Sequence, residues 1–178
     1  MANGISNEEL VQAIRRATEE VFSTMLGLEA VPQEFYIERT APGPAEGVVS
    51  LIGLAGAWVG TGSISCSANF ALTISSHLLM TEYQAVNEEV LDAVAEVTNM
   101  IIGNVKTVIE EKLGGLGLSI PTVIYGRNFT TRSVGNGEWV VAPFLCQGER
   151  MAVQLCLAPN RGETLLRPGV ANPQMAPA

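Results

Sequence analysis

Residues 91–103, LDAVAEVTNMIIG, decide the fold because they place apolar and polar side chains on opposite sides of one helix. At about 100° per residue, Asp92, Glu96 and Asn99 fall within roughly 60° of one another. The other side collects the aliphatic side chains Val90, Val94, Val97, Ile101, Val105 and Val108. The pattern predicts an amphipathic helix with its apolar side on a core and its polar side in solvent.

Capping signals predict where this helix and two others begin and end. Asn87 precedes a helix expected over residues 88–113, which the pair Gly114 and Gly115 terminates. A second long helix is expected over residues 7–26. Ser6 and Glu9 form its capping box and Gly27 its C-cap. Residues 68–80 carry only one ionisable side chain, His77, and predict a short buried helix.

The remaining ordered segments have strand character. We expect two antiparallel hairpins from the runs 34–40, 48–54 and 58–67, which Pro- and Gly-rich linkers join. Further strands are expected over 119–125, 139–147 and 151–158, with a tight turn between the last two. The sequence therefore predicts an α+β fold, a mostly antiparallel sheet with two long helices and one short helix on one face. Residues 1–159 form one domain in this interpretation, and residues 160–178 a disordered tail.

Composition limits the classes of partner. The formal net charge of −8 argues against nucleic acid and anionic membranes, and fits a partner with a basic patch. The three cysteines, without a C-x-x-C pair, are interpreted as buried small hydrophobes. Because no secretory leader is recognisable, we expect a cytoplasmic protein. The uncharged stretch between Glu46 and Glu82 is interrupted by glycines, so two buried strands explain it better than a membrane span.

Two residues of the polar helix side are unexpected for an ordinary solvated surface. Asn99 lies mid-helix, where asparagine is mildly unfavourable. Gly103, one turn on, costs roughly 1 kcal/mol relative to alanine. The glycine either leaves clearance for another molecule, or is tolerated, or permits a close crossing with the first helix. Spacing alone favours a solvated face. His77 is alone and is interpreted as a structural histidine, and no P-loop is present.

The run from Asp92 to Lys106, DAVAEVTNMIIGNVK, resembles the signature helix of the CheC/CheX family of chemotaxis phosphatases. The family pattern is Asp or Ser, Glu four residues later, Asn three residues further, then apolar residues and a glycine. The resemblance extends over about residues 6–158. CheC-type members carry a second copy on the first helix, where this chain has only Glu9 and Gln12. A single copy makes the chain more similar to CheX.

The resemblance implies a function and its residues. The substrate would be the aspartyl phosphate of a CheY-type response regulator receiver domain, which supplies its own Mg²⁺, so no cofactor of this chain is expected. Asn99 would orient the attacking water and Glu96 would pair with the receiver's active-site lysine. Asp92, Gly103 and Lys106 would contribute to docking. A homodimer is expected. The alternative is a non-catalytic module of the same fold that binds receivers or chemotaxis and flagellar switch proteins.

Overall fold

A computed structural model describes residues 4–39, 46–127, 129 and 137–160. The predicted tail, except Asn160, lies outside these ranges. Within them the chain forms an antiparallel sheet of eight strands and three α-helices, which confirms the predicted fold class. The strands are β1 (Val31–Pro32), β2 (Tyr36–Glu38), β3 (Glu46–Gly56), β4 (Trp58–Cys66), β5 (Leu116–Leu118), β6 (Thr122–Arg127), β7 (Trp139–Cys146) and β8 (Glu149–Pro159). The helices are α1 (Asn7–Val21), α2 (Ala68–Leu79) and α3 (Glu88–Leu113).

The order of strands in the sheet is β1–β7–β8–β4–β3–β5, with β2 also on β7 and β6 also on β3. The hairpin predicted between residues 34–40 and 48–54 is therefore wrong. Tyr36 in β2 lies opposite Val141 in β7. The outer edge of β3 is occupied by β5 and β6. The second hairpin, β3–β4, is confirmed. Between β7 and β8, Gln147 and Gly148 adopt φ of 50° and 81°, the positive values of a two-residue hairpin turn.

Local sequence signals fix the start and end of the first helix. The Ser6 side chain accepts a hydrogen bond from the Glu9 amide at 3.2 Å, and Glu9 Oε2 accepts one from the Ser6 amide at 3.0 Å. This is the predicted capping box. The last turn, Phe22–Leu26, widens to a π-helix and ends at Gly27, whose φ is 64°. A positive φ is easy for glycine, so Gly27 is the predicted C-cap.

One face of the sheet packs against all three helices. Alternate strand residues on this face, such as Val48, Ile52 and Ile64, share a single core with the buried sides of α1, α2 and α3. The three cysteines are free and buried, as predicted. Val108 departs from its predicted burial and is 43% exposed. It lines a shallow groove between the two long helices. In the described part of the chain, no helix is both long and apolar enough to cross a membrane.

The distance between α3 and the sheet depends on a glycine in β4, Gly62, which has no side chain. A Cβ atom on Gly62 would lie 2.8 Å from Cδ1 and 2.9 Å from Cγ1 of Ile102. Real Cβ atoms do not approach other carbon atoms so closely, so Ile102 occupies the space that a side chain at position 62 would need. Ile102 is fully buried. Gly62 therefore lets the centre of α3 lie directly on the central strands.

We predict that Gly62→Ala lowers the free energy of unfolding by about 1–3 kcal/mol, because the added methyl group overpacks this contact. Ile102→Ala alone should lower it by about 2–5 kcal/mol. The double variant should lose less than the sum of the two, since Ile102→Ala removes the clash. Urea denaturation of the four proteins measures this coupling.

Gly117 in β5 provides a matched control. A Cβ there would meet only a carbonyl oxygen at an ordinary 3.5 Å, so Gly117→Ala should be nearly neutral. Strict additivity of Gly62→Ala and Ile102→Ala would show that the contact between them does not set the packing distance.

Candidate functional site

The predicted polar face lies on the solvent side of a well-anchored helix. The Asn87 side chain caps α3 by accepting a hydrogen bond from the Val90 amide at 3.0 Å. Buried aliphatic residues hold the opposite side of the helix in the core. Asp92 and Glu96 are exposed and Asn99 is partly buried. These three side chains therefore extend from a rigid support toward solvent, as the helical period predicts.

The three motif side chains are not used by the fold itself. Among the described residues, no hydrogen bond or ion pair involves the side chains of Asp92, Glu96 or Asn99. Some other carboxylates are engaged: Glu9 is tied into the capping box and pairs with Lys112, and Glu149 accepts a hydrogen bond from Ser67. The acidic and amide groups of the motif are therefore available to another molecule.

Gly103 lies on this side of α3, and the space next to its Cα is open. A Cβ at position 103 would meet only Leu118 Cδ1, at 4.0 Å, and no atom of α1. This excludes the alternative that the glycine permits a close crossing of the two long helices. Internal packing does not require a glycine here, and a helix interior disfavours one. Clearance for a molecule approaching Asn99, or simple tolerance, are the explanations that remain.

Lys106 is engaged within the chain. Its ammonium group pairs with Glu110 Oε1 at 2.8 Å. The same carboxylate oxygen accepts a hydrogen bond from the Leu116 amide at 2.7 Å, which ties the start of β5 to α3. The hydrogen bond from Lys106, followed by that from Leu116, lowers the pKa of the Glu110 carboxyl group. Lys106 thus helps to hold β5 beside the helix, and its predicted part in docking is additional to this role.

The other candidates for a catalytic or binding role have structural roles. The Glu9 and Gln12 pair on α1 does not form a second motif, since the Glu9 carboxylate is occupied. His77 Nδ1 lies 2.9 Å from the Leu26 carbonyl oxygen and donates to it, as expected for a structural histidine. Burial raises the pKa of the Cys66 thiol to about 12, so this cysteine is not a ready nucleophile. In the described ranges, no three His, Cys, Asp or Glu side chains are placed to share a metal ion.

The apolar surface next to the motif was not predicted from the sequence. One strand was expected over residues 119–125, but the chain forms the two strands β5 and β6, which residues 119–121 separate. Ile120 is 87% exposed and Tyr125 is 50% exposed. The proline at position 121 was the available signal, because proline interrupts strand hydrogen bonding.

The shape and chemistry of this face suit a macromolecular partner better than a small ligand. An outward helix face is convex and encloses no small ligand. Its free groups are the carboxylates of Asp92 and Glu96 and the carboxamide of Asn99, without an activated nucleophile. Such groups bind, orient and position. They suit a reaction in which the partner supplies the reactive bond.

Comparison with known proteins gives the family. Residues 48–145 match the family model described as chemotaxis phosphatase CheX. The chain is 30% identical to the chemotaxis protein CheX from Vibrio vulnificus, over 84% of this chain and 99% of that one, with a TM-score of 0.75. The chain belongs to the CheX family of chemotaxis phosphatases.

Two further solved structures are similar. A putative chemotaxis protein from Desulfovibrio vulgaris Hildenborough is 30% identical, with 89% of this chain and 100% of that chain covered and a TM-score of 0.75. The CheX–CheY–BeF₃–Mg²⁺ complex from Borrelia burgdorferi matches at 27% identity, with 83% and 97% covered and a TM-score of 0.66. Among functionally curated proteins, none matches this chain.

We predict that the ionised Glu110 carboxylate, through its ion pair with Lys106 and the hydrogen bond it accepts from the Leu116 amide, stabilises the fold in a pH-dependent way. The pKa of Glu110 is lowered from its ordinary 4.5 on folding, so its contribution is present above that value and is lost as pH falls through the lower folded value. Glu110→Gln should therefore be less stable than the parent at about pH 7 and closer to it at about pH 3. Urea denaturation at both pH values, with hydrogen exchange of the Leu116 amide, measures the effect.

The exposed neighbour Glu111 provides the control. Glu111→Gln should leave the neutral-pH free energy of unfolding within about 0.5 kcal/mol of the parent. If Glu110→Gln kept the same deficit at both pH values, the ionised carboxylate would not be the source of the stabilisation.

Proposed function

We propose that this protein accelerates hydrolysis of the aspartyl phosphate on a CheY-type receiver domain. The observation that carries the proposal is the unengaged Glu96 and Asn99 pair on the capped, packed helix of a CheX-family chain. The similarity to CheX in a complex with CheY, BeF₃ and Mg²⁺ supports the choice of partner. In this proposal Mg²⁺ belongs to the receiver, and this chain contributes only side chains.

Asn99 is proposed to position the attacking water. Its carboxamide oxygen accepts a hydrogen bond from the water while the NH₂ group remains free to donate. The water oxygen forms a bond to phosphorus as the bond between phosphorus and the aspartate oxygen breaks. The products are inorganic phosphate and the free aspartate carboxylate, and the water's proton leaves with the phosphate or to solvent. A neutral amide suits this position because it does not repel the phosphoryl oxygens.

Glu96 is proposed to dock the receiver. Its carboxylate lies one turn before Asn99 and would pair with the receiver's active-site lysine, which fixes how deeply Asn99 enters. The net charge of −8 favours approach of a basic surface of the partner. Asp92 lies one turn before Glu96 and forms an acidic strip with it. Gly103 provides clearance, and Lys106, paired with Glu110, lies at the side of the docked surface. Positioning of this kind contributes to phosphoryl transfer mainly by fixing in-line geometry.

We predict separable effects of the two motif residues. Asn99→Ala should return the dephosphorylation rate to that of the receiver alone and leave binding within about twofold. Glu96→Ala should weaken binding and also slow dephosphorylation, since it removes a charged contact. Loss of phosphate from a labelled receiver measures the rate, and titration with the BeF₃- and Mg²⁺-loaded receiver measures binding.

The same helix offers matched controls. Asn104 and Glu111 are exposed. Asn104 lies about 80° from Glu96 around the helix, and Glu111 lies about four turns beyond Glu96 along it. Asn104→Ala and Glu111→Ala should keep parental rates and affinities. Full acceleration by Asn99→Ala would refute the mechanism. Tight receiver binding without acceleration, by the parent protein, would support the non-catalytic binding module instead.

We predict opposite effects of Gly103→Ala on stability and on activity. Because a methyl group at position 103 meets nothing closer than 4.0 Å, the change should raise the free energy of unfolding by up to about 1 kcal/mol through helix propensity. If a receiver must approach the helix here, the same methyl group should slow dephosphorylation. Urea denaturation and the phosphate-release assay measure the two effects. An equally active, more stable variant would show that the glycine is merely tolerated.

A further inference from the structure

An apolar strip runs along the edge of the sheet beside the polar face of α3. Three residues of the strip lie opposite residues of β3 that face the helices, so their side chains face the helices too. The pairs are Leu118 with Leu54, Val123 with Ser50, and Tyr125 with Val48. Leu118 and Val123 are partly buried against the core. We call this strip the edge ledge, and define it as Leu118, Ile120, Val123 and Tyr125.

Contacts locate the ledge relative to the motif. The Leu116 amide donates a hydrogen bond to Glu110, and Leu118 Cδ1 is the atom next to the Cβ position of Gly103. Because residue numbers rise along β5 while they fall along α3, the two elements run antiparallel. Ile120 follows Leu118 by two residues, and Asn99 precedes Gly103 by about one helical turn. Both are therefore displaced in the same direction along α3 from the contact between Leu118 and Gly103.

The exposure of the ledge is a consequence of how the chain changes its pairing. The Ser119 amide donates to the Gly53 carbonyl, while Thr122 lies opposite Leu51. Two residues, Ile120 and Pro121, thus oppose the single residue Ile52, which is a β-bulge. The bulge leaves Ile120 87% exposed. Pro121 has no amide hydrogen to donate, so this part of the edge is poorly suited to pairing with an added strand.

We propose that the edge ledge is the apolar half of the surface that docks the phosphorylated receiver domain. This inference rests on the proposed function. A stable interface covers about 800 Å² per partner, far more than the polar side of one helix provides. A body of that size that sits over Asn99 and Gly103 reaches Leu118, whose Cδ1 lies beside Gly103, and the exposed Ile120 next to it. Asp92 and Glu96 steer and orient the receiver, and the edge ledge contributes the apolar area that the interface buries.

The test compares Ile120→Ser with the parent protein. The dissociation constant for the receiver loaded with BeF₃ and Mg²⁺ should rise about tenfold, which is about 1.4 kcal/mol. The KM for the phosphorylated receiver should rise in parallel, while kcat at saturation stays within about twofold. Ile120→Leu should restore most of the affinity, because it returns the apolar area. Thermal unfolding of each variant checks that the fold is intact.

Val31→Ser is the matched control, because Val31 is 43% exposed on β1, at the opposite edge of the sheet. It should change neither the dissociation constant nor KM. Unchanged binding by Ile120→Ser overturns the inference, as does a fall in kcat without a change in KM. A shift in oligomeric state without a change in receiver affinity would assign the ledge to a second copy of this chain, and also overturns it.

The outcomes of the two proposals are distinguishable. If the parent protein fails to accelerate dephosphorylation, the proposed function fails. The affinity for the BeF₃-loaded receiver still decides whether the ledge contacts a receiver. If the parent protein is active and Ile120→Ser binds as tightly as the parent, only the ledge is excluded.

Discussion

The packing of Ile102 against Gly62 is the constraint on which the site depends. A helix can approach a sheet more closely where a strand residue below it lacks a side chain, and Gly62 of β4 provides such a position under the centre of α3. This contact fixes the rotation of α3 about its own axis, and with it the directions of Asn99 and Glu96, which lie about 60° and 120° from Ile102 around the helix. It also fixes the height of α3 relative to β5, and thereby the open space beside Gly103.

Features that depend on local sequence were predicted closely. The capping signals at Ser6 and Asn87 gave the starts of both long helices, and the 3.6-residue period gave their buried sides. Strand partners were harder to predict, because pairing depends on segments distant in sequence. The β2 strand pairs with β7, about a hundred residues later, and nothing in residues 34–40 distinguishes that partner from the nearer β3. Hydrophobic alternation defines a strand without naming its neighbour.

The same distinction separates the two halves of the candidate site. The positions of Asp92, Glu96 and Asn99 follow from the helical period, and their family pattern was recognisable in sequence. The apolar residues beside them were not, because Ile120 is exposed only where the chain switches register between Gly53 and Leu51. Lys106 lies near the polar face, and its ion pair with Glu110 follows from their i,i+4 spacing, but the hydrogen bond that ties Glu110 to β5 does not follow from spacing. Predicting these contacts requires the tertiary structure.

The length of α3 has a consequence for signalling. The helix has 26 residues, so it is about 39 Å long and passes the motif without a proline. A continuous, packed helix has no hinge and offers its side chains in one arrangement. In the proposed function, Glu96 and Asn99 would meet every receiver at the same separation. Differences in how fast receivers lose their phosphate would then arise from the receivers' own surfaces.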